Sequence, residues 1–286
     1  MSIFSTFKNS ITLVRPGNLL LTILGTLIGG ALGRISGGET DSWMLPLAAL
    51  ASGLIAAGGY AINDAFDRKE DLVNHPERPV PSGVFSSQKA GGLGIVLLIS
   101  GSVVSWFVSF TCGIFAVIIV LLLIIYSVRL KSKAIVGNTL VAICGAAPLL
   151  FGALAAGKLE AGLLAFSLAA PLHLIREIVK DVEDLEGDSI AGRKTHPIIH
   201  SKLKSIRLAG ILMLLLAIYI PIPYFMKWMG LPYLVIAGLF AAFPLAYFGG
   251  GTIAYPESVN AGKIQRILKL LMVSGMIAII AGTVIR

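Results

Sequence analysis

The sequence predicts an all-α, polytopic membrane protein of about nine transmembrane helices, and three observations lead there. Of 286 residues, 56% are hydrophobic and only 13% are Asp, Glu, Lys or Arg, against roughly 25% charged in a soluble globular chain. Apolar stretches near the ~20 residues needed to span a ~30 Å hydrocarbon core recur along the whole length. The basic residues fall overwhelmingly into alternate loops between those stretches, which is the pattern that fixes orientation in a bilayer.

Taken in order, helices are expected at about 18–33, 43–65, 90–109, 112–130, 135–155, 161–182, 206–225, 230–249 and 265–285. Pro and Gly inside these spans are tolerable because neighbouring helices satisfy the freed backbone groups. The longest polar stretches are the loops after the second and sixth helices, and residues 1–286 read as a single transmembrane domain. The opening MSIFSTFKNSITLVRPGN lacks the order of basic region, short apolar run and small-residue cleavage site of a signal peptide. With the N-terminus placed inside, 19 of the 23 Lys and Arg fall on the cytoplasmic side. Arg34, Lys158, Lys227 and Arg286 fall on the other. The net charge of +8 then reflects loops facing anionic lipid rather than nucleic-acid binding. Cys112 and Cys144 sit in apolar segments without metal-ligand spacing, as inert packing residues do.

Chemistry concentrates in two acidic segments. Of 15 carboxylates, 11 lie in 64–77 and 177–188, at the cytoplasmic ends of the second and sixth helices. Asp64, Asp67 and Asp71 stand at i, i+3 and i+7, and so do Asp181, Asp184 and Asp188. On a continuous helix that spacing puts each triad on one face, over roughly 10 Å. Two such triads suggest an internal pseudo-repeat converging on one site. The bland reading is a solvated, salt-bridged charge run. Against it, six aspartates at two identical spacings would repel one another without a shared cation, and ionisable groups at the edge of a membrane bundle are by default functional. Hard oxygen ligands without His or Cys favour magnesium, which joins carboxylates to phosphates. Facing carboxylate clusters therefore suggest a diphosphate clamp, with Arg68, Arg78, Lys131, Lys180, Arg193 and Lys194 on the same side to neutralise a leaving diphosphate. His173 reads as a core histidine, and His75, His196 and His200 have no ligand spacing.

Asn63-Asp64-x-x-Asp67-x-x-x-Asp71 and Asp181-x-x-Asp184-x-x-x-Asp188 resemble the two aspartate-rich motifs of the UbiA superfamily of intramembrane prenyltransferases, and Tyr126-Ser-x-x-Leu-Lys131 resembles its third signature. The resemblance covers nearly the whole chain. Arg78-Pro-Val-Pro-Ser-Gly83 is similar to both the archaeal digeranylgeranylglyceryl phosphate synthases and the chlorophyll synthases, and the segment from Arg176 to Asp188 is closer to the former. His196 stands where Leu is common in the group. The resemblance implies a bundle around a central cavity open to the cytoplasm. It implies magnesium-assisted transfer of a geranylgeranyl group from geranylgeranyl diphosphate to geranylgeranylglyceryl phosphate, in archaeal ether-lipid synthesis. Asn63, Asp67 and Asp71 would then serve one metal, and Asp181, Asp184 and Asp188 the other, with Asp64 on the motif but less defined in direction. Lys131 and Arg68 would hold diphosphate oxygens, and Tyr126 would line the reacting centre. A phosphorylated acceptor needs a second anion site, for which Arg15, Lys180, Arg193 and Lys194 are available.

Two alternatives stay open at this stage. One is prenyl transfer to a chlorophyllide-like or aromatic acceptor. The other is an ion-coupled transporter, which would place its acids near the bilayer midplane, whereas these acids lie at one face. A CDP-alcohol phosphotransferase would need an Asp-Gly…Ala-Arg signature that the sequence lacks.

Overall fold

The structure is a computed structural model and describes residues 12–285. The expectations that rest on residues 1–11 and 286, including the signal-peptide reading of the opening and the side on which Lys8 and Arg286 lie, fall outside the described residues. Among the described residues, nine helices are long and apolar enough to cross a membrane: α1 (Pro16–Ile35), α2 (Met44–Phe66), α3 (Ser87–Val108), α4 (Phe110–Leu130), α5 (Val136–Ala155), α6 (Leu159–Glu183), α7 (Lys202–Phe225), α8 (Leu231–Ala254) and α9 (Ala261–Val284). Most ends agree with the expected spans to a few residues. The differences are extra polar turns: α3, α7 and α9 each begin earlier, because a side chain caps the first turn. Ser86 accepts from the Lys89 amide, Ser201 from Lys204 and Asn260 from Lys263, which satisfies donors that a helix start leaves unpaired.

Packing between helices relies on small residues, as expected where lipid removes the hydrophobic drive for association. A Cβ on Gly152 of α5 would stand 1.8 Å from the Thr26 carbonyl oxygen of α1, and one on Gly29 would stand 2.0 Å from that of Leu149. Only glycine permits this approach of backbone to backbone. The core runs along α6, where Ile175, Ile178 and Val179 are fully buried among residues of α1, α5, α7, α8 and α9. Large apolar side chains such as Phe107, Phe243 and Tyr247 are exposed on the outside, as a lipid-facing surface requires.

The polar ends of α2 and α6 have the same backbone. α2 stops at Phe66 and a short helix follows over Arg68–Asn74, with Asp67 between them at φ −89°, ψ 10°. α6 stops at Glu183 and a short helix follows over Leu185–Ile190, with Asp184 between them at φ −88°, ψ 6°. Each triad therefore has its middle aspartate at a helix break, and this corrects the expectation of one continuous helical face. α4 ends in a π-turn over Tyr126–Leu130, whose last bond runs from the Lys131 amide to the Tyr126 carbonyl, 2.9 Å.

Candidate active site

The two helix breaks face each other. Asn74, at the end of the first short helix, donates to the Asp184 carbonyl (2.9 Å) and accepts from the Gly187 amide (3.0 Å). A Cβ on Gly187 would lie 2.4 Å from the Asn74 amide nitrogen, so glycine is needed for this contact. The lock brings both motifs around one small polar chamber. It is lined by Asp67, Glu70 and Asp71 from the first motif, by Asp181, Asp184 and Asp188 from the second, and by Glu177.

Seven carboxylates line that chamber against four cationic side chains, Arg78, Lys131, Lys180 and Arg193. Asp67 faces both Lys131 and Arg193, the latter at 3.0 Å. Burial alone would raise its pKa, but Lys131 and Arg193 hold the carboxyl below the usual carboxylate range. Asp184 lies 2.9 Å from Lys180 and 3.3 Å from His75. Those neighbours outweigh burial there too and hold it low. Asp188 has weaker partners, with Arg193 4.0 Å away. Burial, reinforced by Asp184 one turn back, pushes it up to about 6. Arg78 donates to one Asp71 oxygen at 2.7 Å, while the other Asp71 oxygen is buried with no hydrogen-bond partner.

Among the described residues no group of three His, Cys, Asp or Glu side chains converges tightly enough to hold a metal ion. The cations contribute to this: Arg193 stands between Asp67, Glu70 and Asp188, and Arg78, Lys131 and Lys180 each pair with one carboxylate. The residues nonetheless fit magnesium. They are hard oxygen donors, they outnumber the cations beside them, and the orphaned Asp71 oxygen points to an absent positive partner.

A second, larger chamber of about 250 Å³ lies deeper in the bundle. Its walls are mostly apolar and come from α1, α2, α4 to α6 and α7 to α9. The two chambers share Tyr126, Glu177 and Lys180. The π-turn sets this junction, because i→i+5 bonding stacks residues five apart nearly over one another, whereas an α-helix would set Tyr126 and Lys131 about 140° apart.

Not every expected residue is brought together. Asn63 lines the large chamber, where its side chain accepts from Ser127 Oγ at 2.9 Å, and it does not line the carboxylate chamber. Asp64 is buried against Arg15 and lines neither chamber, because the helix break at Asp67 ends the shared face. Arg68 and Lys194 are exposed and line neither chamber. Arg193 lines the carboxylate chamber and Arg15 lines the large one. His173, expected in the core, lines the large chamber instead. Sequence reasoning missed Asn74, Glu70, Arg176 and Lys269. Asn74 and Glu70 lie inside or beside the first motif, but no spacing rule marks them. Arg176 and Lys269 look like ordinary basic residues near helix ends.

Residues 19–258 match the UbiA prenyltransferase family, and the chain belongs to it. It is a multi-pass membrane prenyltransferase. Within the family it is similar to proteins named digeranylgeranylglyceryl phosphate synthase. That of Methanopyrus kandleri is 36% identical over 269 residues, covering 94% of this chain and 97% of the relative. That of Saccharolobus solfataricus is 38% identical, covering 92% and 95%. A solved structure of a digeranylgeranylglyceryl phosphate synthase superposes with a TM-score of 0.77 at 31% identity, covering 98% of this chain and 99% of that one. A UbiA homologue from Archaeoglobus fulgidus, solved with DMAPP and Mg2+, shares the fold with a TM-score of 0.67 at 21% identity, covering 95% and 99%.

Proposed function

We propose that this prenyltransferase moves a geranylgeranyl group from geranylgeranyl diphosphate to the free hydroxyl of geranylgeranylglyceryl phosphate, releasing diphosphate, as a step of archaeal ether-lipid synthesis. The observation that carries the reading is the pairing of chambers: a small one rich in carboxylates joins a large apolar one at Tyr126, Glu177 and Lys180. A prenyl diphosphate has the same division between charged head and apolar chain. The relatives named for this reaction, similar over more than nine-tenths of the chain, support the choice of substrates.

In this reading Asp67, Asp71, Asp181, Asp184 and Asp188 hold magnesium and the diphosphate head between the two motifs. The chain acts as one unit, and its two motif regions are halves of a pseudo-repeat. Bound magnesium supplies charge neutralisation as the C1–O bond of the allylic diphosphate breaks and its electron pair leaves with the diphosphate. Lys131, Arg78 and Arg193 stabilise the charge that grows on the leaving oxygens, in a site where water is scarce and such contacts count for more. Tyr126, at the junction, lines the allylic carbon and keeps solvent from it. The acceptor hydroxyl oxygen then bonds to C1, and its proton leaves with the released diphosphate, which balances the step. The loops rich in Lys and Arg orient the bundle so that the carboxylate chamber faces the cytoplasm.

The test is purified protein with magnesium, geranylgeranyl diphosphate and a panel of acceptors, with products read by mass spectrometry. The expected product carries two geranylgeranyl chains on one phosphoglycerol. A product formed only on an aromatic or chlorophyllide-like acceptor would overturn the assignment of substrate and leave prenyl transfer standing.

A further inference from the structure

Away from both aspartate motifs, the large chamber holds a second group of charges. Its charged lining consists of Arg15, Arg176, Lys180, Lys269 and one carboxylate, Glu177. Lys180 is already engaged by Asp184. Arg15, just before α1, pairs with Asp64 behind the wall and lies 5.5 Å over the Tyr60 ring. Arg176, on α6, reaches Glu177 with one nitrogen at 3.2 Å, while its Nε is buried with no hydrogen-bond partner. Lys269, on α9, makes no ion pair or hydrogen bond with any described residue. Gln265 donates to the Arg176 carbonyl at 3.0 Å. Lys269 follows four residues later on the same face of α9, so it lies beside the same stretch of α6.

Four cations face one carboxylate in this lining, and a cation left without an ion-pair partner in a membrane-embedded cavity usually marks the place of an anion. We propose that Arg15, Arg176 and Lys269 form an anion subsite within the large chamber that takes the phosphate monoester of the acceptor, separate from the carboxylate chamber that takes the diphosphate. The inference rests on the reading under Proposed function and names residues for its acceptor. A phosphate monoester carries a charge of about −1.5 to −2 at neutral pH and three acceptor oxygens. Those oxygens match the forked donors of two arginines and the point charge of Lys269. The position also fits. Arg176 stands one turn before Lys180, about 6 Å along the helix, and Lys180 is at the junction of the chambers. A phosphoglycerol separates its phosphate from its free hydroxyl by a few bonds, so phosphate at Arg176 leaves the hydroxyl at the junction, where the allylic carbon is held.

The experiment varies both substrates independently in full-length protein with magnesium, for wild type, Lys269→Gln, Arg176→Gln and Lys269→Arg. Geranylgeranylglyceryl phosphate is compared with its dephosphorylated analogue. A contact made equally in ground and transition states shows in KM rather than kcat. The glutamine variants should raise KM for the phosphorylated acceptor roughly 10- to 100-fold, the range of a lost charge-assisted bond. They should leave KM for geranylgeranyl diphosphate within about twofold, and Lys269→Arg should recover most of the loss. In wild type, glycerol phosphate should compete with the acceptor and not with the diphosphate, a measurement that needs no variant. An unchanged acceptor KM in folded glutamine variants, an equal rise in KM for the diphosphate, or glycerol phosphate competing with the diphosphate would each overturn the subsite while wild-type turnover of the phosphorylated acceptor kept the broader reading intact. If wild type used the dephosphorylated analogue equally well, both readings would fall together.

Discussion

Asp67 and Asp184 occupy the same place in two different surroundings. Each ends a membrane helix, begins a short one, and carries a carboxylate held low by its neighbours, the cations Lys131 and Arg193 for one, and Lys180 with a hydrogen bond from His75 for the other. A side chain that serves only to join two helices could be replaced by asparagine with little effect on turnover. A ligand to metal and diphosphate could not, because the lost charge is needed as the leaving group forms. Asp67→Asn and Asp184→Asn should each lower kcat on the order of a thousandfold, with the protein still inserted. Thermal unfolding in detergent separates this from collapse. Near-normal turnover at limiting magnesium in either variant would mark its aspartate as structural.

At the scale of elements, the site depends on how two short helices are pinned rather than on the long ones. Asn74 bridges them through the Asp184 carbonyl and the Gly187 amide. Removing it leaves both groups without their partner in a partly buried contact, at a cost of about 2 kcal/mol. Groups that orient ligands affect metal affinity by roughly 10- to 100-fold. Asn74→Ala should therefore raise the magnesium concentration for half-maximal activity about tenfold, with turnover recovered at high magnesium. An unchanged magnesium dependence would show that the two motifs hold their positions without this bridge. The π-turn of α4 is the other local device. It turns Tyr126 toward the junction and leaves Lys131 near Asp67, which a regular helix over the same residues would not do.

The molecule as a whole divides its charges by depth. Carboxylates and the cations that balance them gather at one end of the bundle, the chamber below is largely apolar, and the outer surface carries exposed Phe, Leu and Ile for lipid. The distribution of Lys and Arg then sets which end faces the cytoplasm. Single cysteines at Arg68 and Lys158, in a background with Cys112 and Cys144 replaced by Ala, should label from opposite sides of sealed vesicles. A membrane-impermeant maleimide should reach the Arg68 position only from the cytoplasmic side. Labelling of both positions from one side would overturn the topology and with it the direction of the chamber.

Hydropathy and periodicity alone determined the number of spans and the two acidic segments, because a bilayer demands long apolar helices and leaves few places for carboxylates. The spacing of Asp67, Asp71, Asp184 and Asp188 was enough to mark them, since motif residues sit close together along the chain. Tertiary structure decided the rest. Asp64, identical in spacing to its partners, turns away to Arg15 because the helix breaks one turn later. Asn63 points to the apolar chamber, Arg68 stays exposed, and Arg193 crosses to the first motif. Arg176 and Lys269 are 93 residues apart in the chain and line one chamber only because α6 and α9 pack side by side. A sequence records which residues share a helix face, but which faces converge on one cavity is settled by helix packing, and no local pattern carries that information.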